Sequence, residues 1–194
     1  MKDLMIKLTI LMIFIVLSIN LYCQSTDMPV LPIDSLTGKI TYTDIVYLDS
    51  TITKDELFMV GREWMAKSFK SATDVLKMDD KEEGVMVGKG TMPFNSKTMG
   101  IEAPMMDLHF TISVYLKNGK YKYEITDFVL EENMLGMEFF MESFYFRELI
   151  EPMKRPSKKK SIYFLNQLNE NMNILINSLK INMASAKSPN KSDW

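Results

Sequence analysis

Apolar and polar residues alternate without a fault through "DLHFTISVYLK", which puts Leu108, Phe110, Ile112, Val114 and Leu116 on one face of a strand. Asn118-Gly119 follows and predicts a type I′ hairpin, because both central residues of that turn take positive φ. Counting outward from the turn, Leu116 faces Tyr121, Val114 faces Tyr123 and Ile112 faces Ile125, so both strands present their apolar residues to one side. The same period of two runs through "GKITYTDIVYLD", with Ile40, Tyr42, Val46 and Leu48 on one face and Asp44 interrupting them. "DVLKMDD" and "KEEGVMVGKGTM" predict two further strands, the second led by Val85 and Val87 on one face and Met86 and Met92 on the other.

Two segments change period. "TKDELFMVGREWMAKSFKSA" opens with Thr53 and carries Glu56 three positions on, a capping box, and its apolar stripe Leu57, Val60, Trp64, Met65 has helical spacing. Gly61 in that helix allows close approach to a sheet. From about 157 to 183, Leu165, Leu168, Met172, Leu175 and Leu179 step by three and four, a single stripe that needs an apolar surface to cover. Asn95 to Met106 has turn residues and little periodicity and predicts a loop. Residues 133–150 are apolar but fit neither period and define no element.

The N-terminus adds lysines at 2 and 7, an apolar run from Leu8 to Ile19 and then polar residues, the pattern of a secretory signal peptide. The run is shorter than the about 20 apolar residues a membrane-spanning helix needs. The expected organisation is a signal peptide at 1–23, a linker at 24–38, one α+β domain at 39–185 and a disordered tail at 186–194. Cys23, the only cysteine, also sits where a lipid-attachment site would fall, which makes a membrane-anchored lipoprotein an alternative. Bulky Tyr22 and Asn20 depart from that motif. With Cys23 removed, thiol catalysis, disulfides and cysteine-ligated metals drop out. A formal net charge of -2 over 194 residues gives no broad positive field, so nucleic acid is not an expected partner.

The order strand, helix, several antiparallel strands, helix is carried by "GKITYTDIVYLD", the "TKDEL" helix start with Trp64, "DDKEEGVMVGKG" and "HFTISVYLKNGKYKYEITDF". It resembles family 4468 of the domains of unknown function over roughly residues 39–128, with the final helix completing the fold. The resemblance implies a TATA-binding-protein-like fold in an exported bacterial protein: an antiparallel sheet of about four to five strands with two helices packed on one face. It brings no assigned activity and no catalytic residues. A minor-groove DNA binder of that fold needs a basic concave sheet with aromatic wedges. Here the exposed hairpin face mixes Tyr115, Lys117, Lys120 and Lys122 with Asp107 and Glu124.

Candidate chemistry is sparse. Gly84, Gly88, Lys89 and Gly90 lack P-loop spacing, and Thr91-Met92-Pro93 follows them where a helix should start. Gly88 and Gly90, two apart on a strand, would leave a shallow groove on the sheet if no neighbouring side chain fills it. His109, the only histidine, lies two residues from Asp107, and Met105 and Met106 precede it. Imidazole and thioether ligands suit Cu(I), so these four residues are weak metal candidates, although the methionines equally fill core gaps. Met134, Met137 and Met141 stand at helical intervals. Lys154, Arg155, Lys158, Lys159 and Lys160 form the one dense positive patch, suited to weak contact with anionic lipid. No nucleophile or acid–base constellation assembles, and no cofactor is expected. The expected function is a non-enzymatic exported module that binds a protein partner or small ligand at the cell envelope. The alternative is an enzyme with a carboxylate site not recognisable from sequence, for which Glu82, Glu83 and Glu124 are among the available acids.

Overall fold

The computed structural model describes residues 28–69, 76–98, 101–132, 136–143, 145 and 156–187. Strands β1 (Tyr42–Tyr47), β2 (Leu76–Asp80), β3 (Val85–Thr98), β4 (Ile101–Lys117), β5 (Lys120–Glu132) and β6 (Glu138–Phe140) form one antiparallel sheet, with helices α1 (Lys54–Ser68) and α2 (Pro156–Ala184). The strand order is β1-β5-β4-β3-β2, and β6 also pairs β5. β1 takes Lys120 to Ile125 of β5, and β6 takes Val129 to Glu131, so the two short strands share one edge.

Strict alternation in β4 has the expected consequence. Leu108, Phe110, Ile112, Val114 and Leu116 are buried and join α1 and α2 in a single core with Tyr121, Tyr123 and Ile125. The register Leu116 to Tyr121, Val114 to Tyr123 and Ile112 to Ile125 is the one counted from the turn. The turn itself differs from type I′. Gly119 has φ +69°, but the one non-glycine with positive φ among the described residues is Asp127, not Asn118. Asn118 uses its side chain instead: Oδ1 accepts from the Lys54 amide at 2.8 Å, fastening the hairpin to the start of α1. That same helix start carries the predicted capping box, with the Glu56 amide donating to the Thr53 hydroxyl and the Thr53 amide donating to the Glu56 carboxylate at 2.8 Å. Orphan amides at a helix N-terminus are costly. Thr53→Ala and Asn118→Ala are therefore each expected to lower stability by about 1 kcal/mol in urea unfolding.

Helix α1 lays Leu57, Phe58, Gly61, Trp64 and Met65 against the sheet and α2. At Gly61 a methyl would fall 2.5 Å from Met86 Cε and 3.5 Å from Met183 Sδ, so the expected close approach is real and involves both neighbours. Trp64 Nε1 donates to Ser178 Oγ on α2 at 3.0 Å, which satisfies the indole inside the core. The α2 stripe buries Leu165, Leu168, Met172 and Leu179, as its period requires.

Two expectations fail. Asn95 to Thr98 and Ile101 to Met106 are strand and not loop. β3 and β4 pair through Thr98 and Ile101, interrupted at the Phe94/Asn95 irregularity. Their weak periodicity reflects that irregularity. The Asn95 amide and carbonyl bond the Gln167 side chain of α2 at 2.7 and 3.1 Å. Residues 28–38, expected as linker, dock: Leu31 is buried, Ile33 bridges Ile40, and Asp34 Oδ1 closes a turn by accepting from the Leu36 and Thr37 amides. Within the ambiguous apolar segment, 138–140 is strand and adds a short β6 to the sheet, and Met141 and Tyr145 enter the core. Met137 is exposed, so the helical spacing of Met137 and Met141 does not produce a shared face.

Candidate functional site

At Gly90 on β3 the expected groove is filled. Gly88 and Gly90 pair with Ile112 and Phe110, on the face that the helices cover. A Cβ at Gly90 would come within 3.0 Å of three Phe110 ring atoms. The ring itself is held by Phe69 and Phe128, whose centroids lie 5.9 and 6.2 Å away. Phe110 is the side chain that fills the space, and this face is core.

The opposite face carries the polar residues, and among the described residues no element lies over it. Two chains of side-chain bonds cross it from strand to strand. In the first, Thr91 on β3 lies 3.0 Å from His109 Nδ1 on β4, and His109 Nε2 lies 2.9 Å from Glu131 Oε2 on β5. A carboxylate only accepts, so Nε2 carries the proton toward Glu131, and in the neutral ring Nδ1 accepts from the Thr91 hydroxyl. In the second, Lys89 donates to Thr111 at 2.6 Å, Thr111 donates to Asp127 Oδ2 at 3.0 Å, and Lys39 donates to Asp127 Oδ1 at 2.6 Å.

Asp127 sits where β5 bulges. His109 faces Val129 and Thr111 faces Thr126, so two residues of β5 stand opposite one of β4, and Asp127 takes φ 58° to absorb the extra residue. The bulge falls between the segments of β5 that β1 and β6 pair, and Glu142 Oε1 accepts from the Ile40 amide at 3.1 Å across that seam. The hydrogen bond from Lys39 is the main cause of an Asp127 pKa held below the usual aspartate value. A depressed carboxylate stabilises the fold above its unfolded pKa, and that contribution is lost as pH falls through the lower folded value. The gap in unfolding free energy between the native chain and Asp127→Asn is expected to be steady at neutral pH and to close below about pH 4. Both partners are exposed, so the gap stays under about 1 kcal/mol. Urea midpoints across that range measure it.

The hydroxyl–imidazole–carboxylate order of Thr91, His109 and Glu131 has the connectivity that activates a nucleophile in hydrolases. Its setting does not. His109 and Glu131 are 38% and 41% exposed on an open sheet, where water screens the charges that such chemistry needs enclosed. The arrangement is a cross-strand ladder. Asp107, the partner the sequence suggested for His109, is not in it. The missed partner, Glu131, faces Asp107 and reaches His109 diagonally, on the outer face where the bulge puts it.

The four metal candidates are not assembled either. Met106 is buried on the core face while His109 is on the outer face, and both imidazole nitrogens are engaged. No group of three or more His, Cys, Asp or Glu placed to hold a metal occurs among the described residues. Glu82 and Glu83 lie in the turn before β3, whereas Glu124 lies on the outer face with Lys122 at 3.0 Å. One open groove runs between α1 and β2, lined by Phe58, Met59, Arg62, Glu63, Leu76 and Asp79 among others. Its two carboxylates are already paired, Asp79 with Arg62 at 2.9 Å and Glu63 with Lys67 at 2.6 Å. Lys159 and Lys160 are exposed near the start of α2, and the side chains of Lys154, Arg155 and Lys158 lie outside the described residues, as does Cys23.

A single antiparallel sheet with both helices on one face is a TBP-like α+β fold. Residues 42–131 match the family described as a domain of unknown function (DUF4468) with TBP-like fold. Among solved structures, the chain is similar to a DUF4468 family protein from Bacteroides ovatus, at 12% identity and a TM-score of 0.62, covering 89% of this chain and 96% of that one. It is also similar to a TBP-like protein from Parabacteroides distasonis, at 15% identity and a TM-score of 0.51, covering 74% and 94%. No curated protein matches the chain.

Proposed function

We propose that the chain is an exported, non-enzymatic module that binds a protein partner or small ligand at the cell envelope through the sheet face opposite its helices. The observation that carries the reading is the contrast between the two faces of one sheet. One is sealed by α1 and α2, while the other presents cross-strand ladders and the aromatic residues Tyr47 and Tyr115, with no element over it among the described residues. A wide, pre-ordered and half-polar surface suits recognition better than turnover. Export is supported by the charged, apolar and polar succession at the N-terminus. No helix among the described residues is long and apolar enough to cross a membrane.

Hydroxyl-radical footprinting tests the surface. The chain in its envelope fraction, compared with the purified and dilute chain, is expected to lose reactivity at Tyr47 and Tyr115 and to keep it at Met59 and Ile174. Protection at Met59 or Ile174 with none at the tyrosines would overturn the reading.

A further inference from the structure

The outer face is polarised along its strands, and the two ends match. At the hairpin end, one row across β1, β5 and β4 reads Tyr47, Lys120, Lys117. At the far end, the row across β6, β5 and β4 reads Glu138, Glu131, Asp107. The next rows inward are Ile45, Lys122, Tyr115 and Phe140, Val129, His109. Between them lie the neutral Ser113, Thr111 and Thr126, the pair Lys39–Asp127, Lys89, and Glu124 bonded to Lys122. Three lysines therefore occupy one end and three carboxylates the other. β1 and β6 flank the same edge of β5, so that edge, β5 and β4 follow one another in the same lateral order at both ends, with β3 beyond β4.

We infer that this face is where a second copy of the chain docks, face to face, around a two-fold axis lying between the sheets and across the strands. The inference rests on the sheet-face reading above and names its occupant. Such a rotation keeps lateral position and reverses strand direction, so β4 lies over β4 and β5 over β5. Lys117 of one copy then meets Asp107 of the other, Lys120 meets Glu131, and each contact occurs twice, as an isologous interface requires. The exchange of β1 for β6 sets exposed Ile45 over exposed Phe140. The match depends on register and direction: a shift of one row one way sets Lys120 over Val129, the other way keeps Lys122 over Glu131 but sets Tyr115 over Asp107 and Ile45 over Glu138, and a parallel stacking sets lysine over lysine, which repels. The twist of the two sheets, which turns facing strands about 30° from parallel, is compatible with long side chains bridging a gap of about 10 Å.

Sedimentation velocity of the chain without its predicted leader tests this. The native chain is expected to dimerise, and more weakly at high salt. Lys120→Glu and Glu131→Lys should each weaken association by about tenfold or more, because each sets like charges together twice. The double variant Lys120→Glu/Glu131→Lys should recover most of that loss, since the pair is intermolecular. Lys120 and Glu131 both lie on the outer face and outside the core, so unchanged thermal unfolding excludes misfolding as the cause. A native chain that stays monomeric, or a double variant no better than the singles, overturns the inference. A monomeric chain whose Tyr47 and Tyr115 are still protected in the envelope fraction rejects the second copy and leaves the sheet-face reading standing; loss of both rejects both.

Discussion

Trp64→Ala is expected to lower the unfolding free energy by about 3–5 kcal/mol. Trp64 is 2% exposed and packs edge-on to Phe69 with centroids 5.9 Å apart. Its truncation leaves a cavity between α1 and α2 and strips Ser178 Oγ of its donor. Trp64→Phe refills most of the volume without the N–H and should recover over half of the loss, leaving about 1 kcal/mol for the hydrogen bond. Denaturant unfolding of the two variants separates packing from polar satisfaction. If Trp64→Ala cost less than about 1 kcal/mol, the two helices would not share the core described here.

Gly90→Ala is expected to cost about 1–3 kcal/mol although it adds only one methyl group. The methyl collides with the Phe110 ring, and the ring cannot retreat because Phe69 and Phe128 hold it from two sides. Combining Gly90→Ala with Phe110→Leu should be distinctly less damaging than the sum of the single changes, because the smaller side chain vacates the contested space. Strict additivity would mean that the glycine and the ring do not meet. The pair also decides what Gly90 is for: it makes room in the core for the Phe110 ring.

Much of this fold was legible in the chain because its strongest signals are local. Alternation in β4, the glycine at the hairpin turn and the Thr53–Glu56 box each act within a few residues, and together they set the central register and the start of α1. Where sequence reasoning failed, the cause was a partner distant in the chain. Asn95 reads as the start of a loop because its backbone amide and carbonyl are satisfied by Gln167, some 70 residues later, in a bond no periodicity announces. Asn118 reads as a type I′ residue until Lys54 is known to lie above it. The outer-face ladders were hidden in the same way. His109 was visible as an isolated histidine, but Glu131 joins it only after Asp127 adds a residue to β5, a displacement that the alternating pattern alone cannot reveal.

The most direct test of the central claim, that the uncovered sheet face is the working surface, is a photo-crosslinkable residue at Ser113, in the middle row of that face, with Ile174 on the exposed side of α2 as the control. In intact envelopes the Ser113 probe is predicted to give a discrete adduct, whether with a second copy of the chain or with another component, and the Ile174 probe none. A discrete adduct from Ile174 with a bare Ser113 would contradict the account and move the function to the helical side.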